Sequence, residues 1–207
     1  MTEYVMTPHT AIFSGQTGCG KSHRVLDLIE TAYKGHFSAI FIICPTIYWN
    51  KPYHQRGWVK TDPKIFLIDP KNQLLDWTKS LSKTYANETV LFILDDCISS
   101  EELDKTRGSL IELAIAGRHK GHYLWMLTQR YTKVPLTVRD QLYQLFIWYS
   151  KNKKNLSLVL EENDIVEDDD VPSIRRKLKN SQHGCLYLRL KFPRSWRIIN
   201  DNGNKES

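Results

Sequence analysis

Residues 13–25 read FSGQTGCGKSHRV, and this stretch decides the fold. Within it, the pattern G-x-x-x-x-G-K-[ST] is matched at every position by Gly15, Gln16, Thr17, Gly18, Cys19, Gly20, Lys21 and Ser22. Glycines let the backbone curl so that successive N–H groups point at phosphate oxygens, and the helix that follows adds its positive N-terminal end. We expect Lys21 to reach the β- and γ-phosphates of ATP and the Ser22 hydroxyl to ligate Mg²⁺.

Strand and helix patterns alternate on either side of this loop. The apolar patterns predict strands at residues 11–14, 38–44, 64–68, 89–94, 123–128 and 145–149, and helices at 21–33, 72–85 and 101–117. Strands separated by helices predict an α/β fold of the P-loop NTPase type, with a mostly parallel central sheet flanked by helices.

The C-terminal part has a different character. After Ser150 come a basic patch, the acid-rich stretch EENDIVEDDD and the basic stretch SIRRKLKN. For the residues around EENDIVEDDD, an ordered helix, a docking element and a flexible loop all stay open. CLYLRLKF and SWRIIN predict a β-hairpin around Pro193, followed by a polar, frayed tail from Asp201. We expect one domain, with a core at about 10–150, an extension at about 151–200 and a tail at 201–207.

Two acids follow the fourth predicted strand. In TVLFILDDC, Asp95 and Asp96 come directly after a run that is apolar on both faces, as in a central parallel strand. This places both carboxylates at the carboxyl edge of the sheet, where α/β folds bind ligands. Asp95 is predicted to hold the Mg²⁺ shell, and Asp96 to orient or deprotonate the water that attacks the γ-phosphate.

A neutral amide ends the next strand. YLWMLTQR places Gln129 beside the acid pair, where its side chain can hydrogen-bond both the attacking water and the γ-phosphate. An arginine supplied by a neighbouring subunit would complete such a site by neutralising charge that develops in phosphoryl transfer. Arg118, in the segment AGRHKGHY, is the first choice, with Arg130 and Arg139 as alternatives.

Composition narrows the class of protein. The 207 residues are 41% hydrophobic and 25% charged, as in a globular protein, and no apolar run approaches the roughly 20 residues of a membrane helix. Four scattered cysteines, without a C-x-x-C pair, argue against a structural zinc site and predict an intracellular, reducing compartment. The net charge of +6 is weakly indicative of a polyanionic partner.

The order of these motifs resembles a known family. GQTGCGKS, FIICPTIYWN, LFILDD, GRHKG and LTQ follow one another as in the small genome-packaging ATPases of double-jelly-roll DNA viruses, including the poxvirus-type and virophage-type enzymes of the FtsK/HerA class. The resemblance covers residues 10–129 and extends toward 149. FtsK-type relatives more often carry Asp-Glu in the acidic motif, so Asp96 departs from them.

The resemblance implies a homo-oligomeric ring that drives double-stranded DNA into a capsid, with a capsid or portal-vertex protein as a further partner and no membrane. DNA would be held by its phosphates, so binding would tolerate any sequence and weaken with salt. The candidate pore residues are Lys151, Lys153 and Lys154, or Arg175, Arg176, Lys177 and Lys179. Both clusters could equally be surfaces that balance the acidic stretch.

Three other functions compete with DNA packaging. A replication helicase of superfamily 3 shares the phosphate loop and tolerates Asp-Asp, but its sensor strand usually ends in asparagine rather than glutamine. A small nucleoside or nucleotide kinase could use Arg175 and Arg176 in a lid, but it has less use for Asp96 and Gln129. A non-catalytic, nucleotide-gated scaffold is disfavoured because the catalytic set is complete.

Overall fold

A computed structural model describes residues 4–71, 73–97, 100–200 and 205–206. Its described strands form one sheet in the order β3-β2-β4-β5-β1-β6-β7-β8-β9, parallel from β3 to β6 and antiparallel from β6 onward. The strands are β1 (Thr10–Ser14), β2 (Ala39–Ile43), β3 (Ile65–Ile68), β4 (Val90–Asp95), β5 (His122–Thr128), β6 (Leu142–Trp148), β7 (Cys185–Arg189), β8 (Ser195–Ile199) and β9 (Lys205–Glu206).

Helices connect these strands and flank the sheet. They are α1 (Lys21–Glu30), α2 (Lys51–Gln55), α3 (Gly57–Thr61), α4 (Leu74–Thr84), α5 (Ser100–Ala116), α6 (Leu136–Arg139), α7 (Lys153–Asn163) and α8 (Val171–Asn180). No helix in the described part of the chain is long and apolar enough to cross a bilayer.

The sheet is buried on both faces, which explains the unbroken apolar runs of its central strands. Along β4, Phe92 and Leu94 pack into one core cluster, whereas Leu91 and Ile93 pack into the cluster on the opposite face. Because successive side chains of a strand point to opposite faces, each run contributes to two cores at once.

The predicted α/β fold is confirmed. All six predicted strands, the three helices and the C-terminal hairpin are present, with ends that differ by a few residues. α1 ends three residues earlier than predicted, and β6 begins three residues earlier because Gln144, a polar residue, is buried within it. The C-terminal hairpin is not an appendage, since β7 pairs with β6 and extends the same sheet.

Several elements were not predicted. The short helices α2 and α3 fill the connection between β2 and β3. In the extension, α7 includes the first three residues of the acidic stretch and α8 begins directly after it. The prediction of a frayed tail is partly wrong, because Lys205–Glu206 pairs with β8. Residues 201–204 and 207 lie outside the described part of the chain. Within the extension, Lys154, Arg176, Lys177 and Lys179 are exposed, while the side chain of Lys153 is not described.

Candidate active site

The phosphate loop joins β1 to α1 through a backbone that requires glycine. Gly18 and Gly20 have φ of 78° and 105°, in the left-handed region that favours glycine. At Gly15 the constraint is space, because a Cβ there would lie 2.6 Å from the sulfur of Cys19 and 2.8 Å from Cβ of Trp148. The Gly15 amide donates to the carbonyl of Thr128 over 3.0 Å, which fixes the start of the loop to β5.

Lys21 is buried and lies inside this loop. Its ammonium group donates to the carbonyl oxygens of Gly15 at 2.7 Å and of Gln16 at 3.1 Å. These bonds hold the positive charge at the centre of the curled backbone, where phosphate oxygens would meet it.

Asp95 lies 3% exposed at the end of β4, and three donors converge on its Oδ2 atom. They are the hydroxyl of Ser22 at 3.0 Å, the amide of Asn50 at 3.2 Å and the hydroxyl of Tyr53 at 2.7 Å. Burial raises the pKa of Asp95, and the hydrogen bonds from Tyr53 and Ser22 oppose that rise. The carboxylate is thus fixed against the first turn of α1.

Asp96 differs from Asp95 because it is exposed, although it is the next residue. Its φ of 50° turns the chain at the end of β4, and its amide donates to the carbonyl of Leu127 over 3.2 Å. Its Oδ2 accepts a hydrogen bond from Nε2 of Gln129, also exposed, at 3.2 Å. The turn therefore separates the two acids, one facing the phosphate loop from within and one facing the solvent.

A cavity of about 760 Å³ lies against the phosphate loop, and Lys21, Asp95 and Asp96 line it, whereas Gln129 is not among its lining residues. It is lined by the phosphate loop, by Asp95 and Asp96, by the segment that follows β2, and by His183 from the extension. Its volume lies in the ordinary range of small-molecule sites. A nucleoside triphosphate with its phosphates on the loop would have Asp95 and Asp96 in the same cavity.

The three arginine candidates do not share this cavity. Arg118 lies before β5, at the opposite edge of the sheet, where it donates to the Tyr143 hydroxyl at 2.6 Å and to Gln141 Oε1 at 3.0 Å. Arg139 forms an ion pair with Glu162. Arg130 is exposed and follows Gln129 at the carboxyl edge.

Sequence reasoning missed three residues of the site. Asn50 and Tyr53 follow β2, which neighbours β4, so their position at the carboxyl edge was a usable signal. The hydroxyl of Tyr53 donates to Asp95, so this aromatic residue belongs to the site. His183 gave no signal, because it reaches the loop only through the fold of the extension.

Fold and site together define a P-loop NTPase. A phosphate loop joins β1 to α1, an acid pair lies at the end of β4, and a polar side chain follows β5, the strand between β4 and β1. The family model described as "Poxvirus A32 protein" matches residues 2–182. The chain therefore belongs to the poxvirus A32 protein family. No curated protein sequence matches it significantly.

Solved structures share the fold at low sequence identity. The genome-packaging NTPase B204 from Sulfolobus turreted icosahedral virus 2, in complex with AMPPCP, superposes with a TM-score of 0.64 at 15% identity, covering 94% of this chain and 98% of that one. B204 from Sulfolobus turreted icosahedral virus, a DNA-packaging ATPase, gives a TM-score of 0.66 at 16% identity with the same coverage. The pCW3 conjugation coupling protein TcpA gives 0.63 at 14% identity, covering 92% of this chain and 60% of that one.

Proposed function

We propose that this chain is an ATP-driven translocase that packages double-stranded DNA into a capsid, with ATP hydrolysed at the subunit interfaces of a homo-oligomeric ring. The observation that carries the proposal is that Asp96, which lines the phosphate cavity, accepts a hydrogen bond from the side chain of Gln129. A pair of this kind serves an enzyme whose acceptor is water, and membership of the A32 family supports the packaging role.

The donor set beside the phosphate loop fits Mg²⁺. The hydroxyl of Ser22 and a carboxylate oxygen of Asp95 lie 3.0 Å apart, and Mg²⁺ prefers oxygen ligands of these two kinds together with phosphates and water. The described residues contain no cluster of three or more metal-binding side chains, as expected where substrate phosphates complete the shell. A bound Mg²⁺ would neutralise charge on the β- and γ-phosphates.

The protein's own groups perform the remaining steps. Lys21 and the loop amides bind the phosphates, while Gln129 orients a water molecule in line with the γ-phosphorus. Asp96 accepts a proton from that water through a carboxylate oxygen, the water oxygen bonds to phosphorus, and the bond to the ADP oxygen breaks. Because Asp96 is exposed, it can return the proton to solvent.

Arg118 would act on the nucleotide of a neighbouring subunit. Within its own chain it lies at the far edge of the sheet, so only an inter-subunit contact would bring it to a γ-phosphate. It would then leave its hydrogen bonds to Tyr143 and Gln141. The proposed setting is intracellular and reducing, and a capsid or portal-vertex protein is the proposed docking partner.

The test is ATP hydrolysis by the purified protein with and without long duplex DNA. We expect DNA to stimulate hydrolysis, salt to weaken the stimulation, and Lys21→Ala to abolish nucleotide binding or turnover. Lys34→Ala, which removes an exposed lysine from the turn after α1, is the matched control. Normal turnover by Lys21→Ala would refute the site, whereas strand displacement or a phosphorylated acceptor would reassign the chain to a helicase or a kinase.

A further inference from the structure

The turn at residues 181–184, between α8 and β7, places an imidazole over the phosphate loop. His183 is exposed, and its Nδ1 donates to the carbonyl of Cys19 over 3.3 Å. Its ring lies 3.5 Å from the position that a Cβ on Gly20 would occupy. The backbone carbonyl of His183 accepts from Nε1 of Trp148 at 2.9 Å, which anchors the turn to β6.

The orientation of a nucleotide on the loop follows from the strand order. Asp95, Asp96 and Gln129 end β4 and β5, which lie on one side of β1, whereas β6 and β7 lie on the other side. The terminal phosphate belongs with the acids and the amide. The nucleoside end of the molecule must therefore leave the loop toward β6, where His183 lies.

Three residues with aromatic rings line the cavity: His23, Trp49 and His183. Trp49 belongs to the segment that holds Asp95 through Asn50, so it lies on the terminal-phosphate side. His23 follows Ser22 on the exposed face of α1. His183 is the ring that the extension adds on the side of β6.

We propose that the imidazole of His183 packs against the base of the bound nucleotide and sets the affinity for nucleoside triphosphates over bare polyphosphate. This inference rests on the proposed function, because it assumes that ATP occupies the phosphate loop. It assigns to the C-terminal extension a part in nucleotide recognition. Base–aromatic packing is sequence-tolerant, so ATP and GTP would both be held.

The experiment compares two ligands, ATP and inorganic tripolyphosphate, by calorimetric titration of the full chain in the presence of Mg²⁺. Tripolyphosphate carries the phosphates without a base. We expect His183→Ala to weaken ATP binding on the order of tenfold while the affinity for tripolyphosphate changes by less than about twofold. His183→Phe keeps an aromatic ring and should retain most of the affinity for ATP.

His23→Ala is the matched control, because it removes another histidine of the same cavity. Equal losses of affinity for ATP and tripolyphosphate in His183→Ala would show that His183 only supports the loop. Unchanged ATP binding would show that His183 has no role in binding. Either result overturns the inference. A selective loss of ATP affinity in His23→Ala instead would assign the base to α1 and also overturn it. If the unmodified chain binds tripolyphosphate and ATP equally, no base contact exists; if it binds neither, the proposed function itself fails.

Discussion

Nε2 of Gln129 lies 3.2 Å from Oδ2 of Asp96, so the ends of β5 and β4 are joined by a hydrogen bond between two exposed side chains. In the proposed mechanism, the bond constrains both groups at the place where a water molecule would meet the terminal phosphate. It also means that a change at either residue alters the orientation of the other.

Asp96→Asn should leave ATP binding intact and lower hydrolysis by about 10²- to 10⁴-fold, because an amide cannot accept the proton of the attacking water. Gln129→Ala should also lower hydrolysis. In the double variant, the loss of activity, expressed as a free energy, should be smaller than the sum of the two single losses, because the residues are in contact. Steady-state phosphate release measures all three. Asp140→Asn, at another exposed aspartate, is the control, and additive losses would show that the pair does not act together.

Tyr53→Phe should destabilise the folded chain by about 1–3 kcal/mol, because it removes a donor from a buried carboxylate and leaves the other contacts of the ring in place. The Tyr53 hydroxyl lies 2.7 Å from Oδ2 of Asp95, and the ring is wholly buried. Urea unfolding provides the measurement. Tyr48→Phe removes the same group from a side chain that is 66% exposed and should change stability by no more than about 0.5 kcal/mol.

The fold was predictable from sequence because its main signals are local. A glycine-rich loop between a strand and a helix, and apolar runs such as that of β4, depend on neighbouring residues and on the period of a single element. The same locality explains why Lys21, Asp95 and Gln129 were placed at one edge of the sheet: each ends or follows a recognised strand.

What escaped prediction depends on contacts between distant segments. Tyr53 binds a carboxylate 42 positions away, and His183 meets a carbonyl 164 positions away. Gln144 is buried because Tyr187 donates to it from another strand, so a polar residue occupies the core without marking the end of β6. No periodicity within one element encodes such pairs.

Gly15→Ala should abolish nucleotide binding, because the added methyl group would lie 2.6 Å from the sulfur of Cys19 and would force the phosphate loop to shift. Fluorescent-nucleotide titration is the measurement. Gly57→Ala is the control, since a Cβ at Gly57 meets open space. Nucleotide binding by Gly15→Ala at ordinary affinity would contradict the close packing of the loop.

Arg118→Ala should bind ATP but hydrolyse it poorly, and mixing it with Lys21→Ala subunits should restore part of the turnover, because each subunit would supply what the other lacks. The assay is phosphate release across mixing ratios. Arg130→Ala, at the exposed carboxyl edge, tests the alternative arginine in the same format. Failure of Arg118→Ala to bind nucleotide would assign Arg118 to a structural role through Tyr143 and Gln141.

The free energy of unfolding should fall as the pH drops from about 6.5 toward 4, because His9 must stay neutral in the folded chain. Burial lowers the pKa of His9 to about 4. Its Nε2 accepts from Trp125 at 3.1 Å and from Gln144 at 2.8 Å, while its Nδ1 donates to the carbonyl of Thr7 at 2.8 Å. A protonated Nε2 would face two donors without an acceptor.

The unfolded chain binds a proton at His9 near pH 6.5, whereas the folded chain does so only near pH 4. The contribution of His9 to stability is therefore complete above pH 6.5 and is lost as the pH falls from 6.5 to 4. Between pH 7.5 and pH 5 the loss amounts to about 2 kcal/mol. Urea unfolding at both pH values measures it. His9→Gln places a neutral residue at the same position, so its loss of unfolding free energy between pH 7.5 and pH 5 should be smaller by that amount, whatever the variant's stability at pH 7.5. An equal loss in both proteins would show that His9 titrates normally in the folded state.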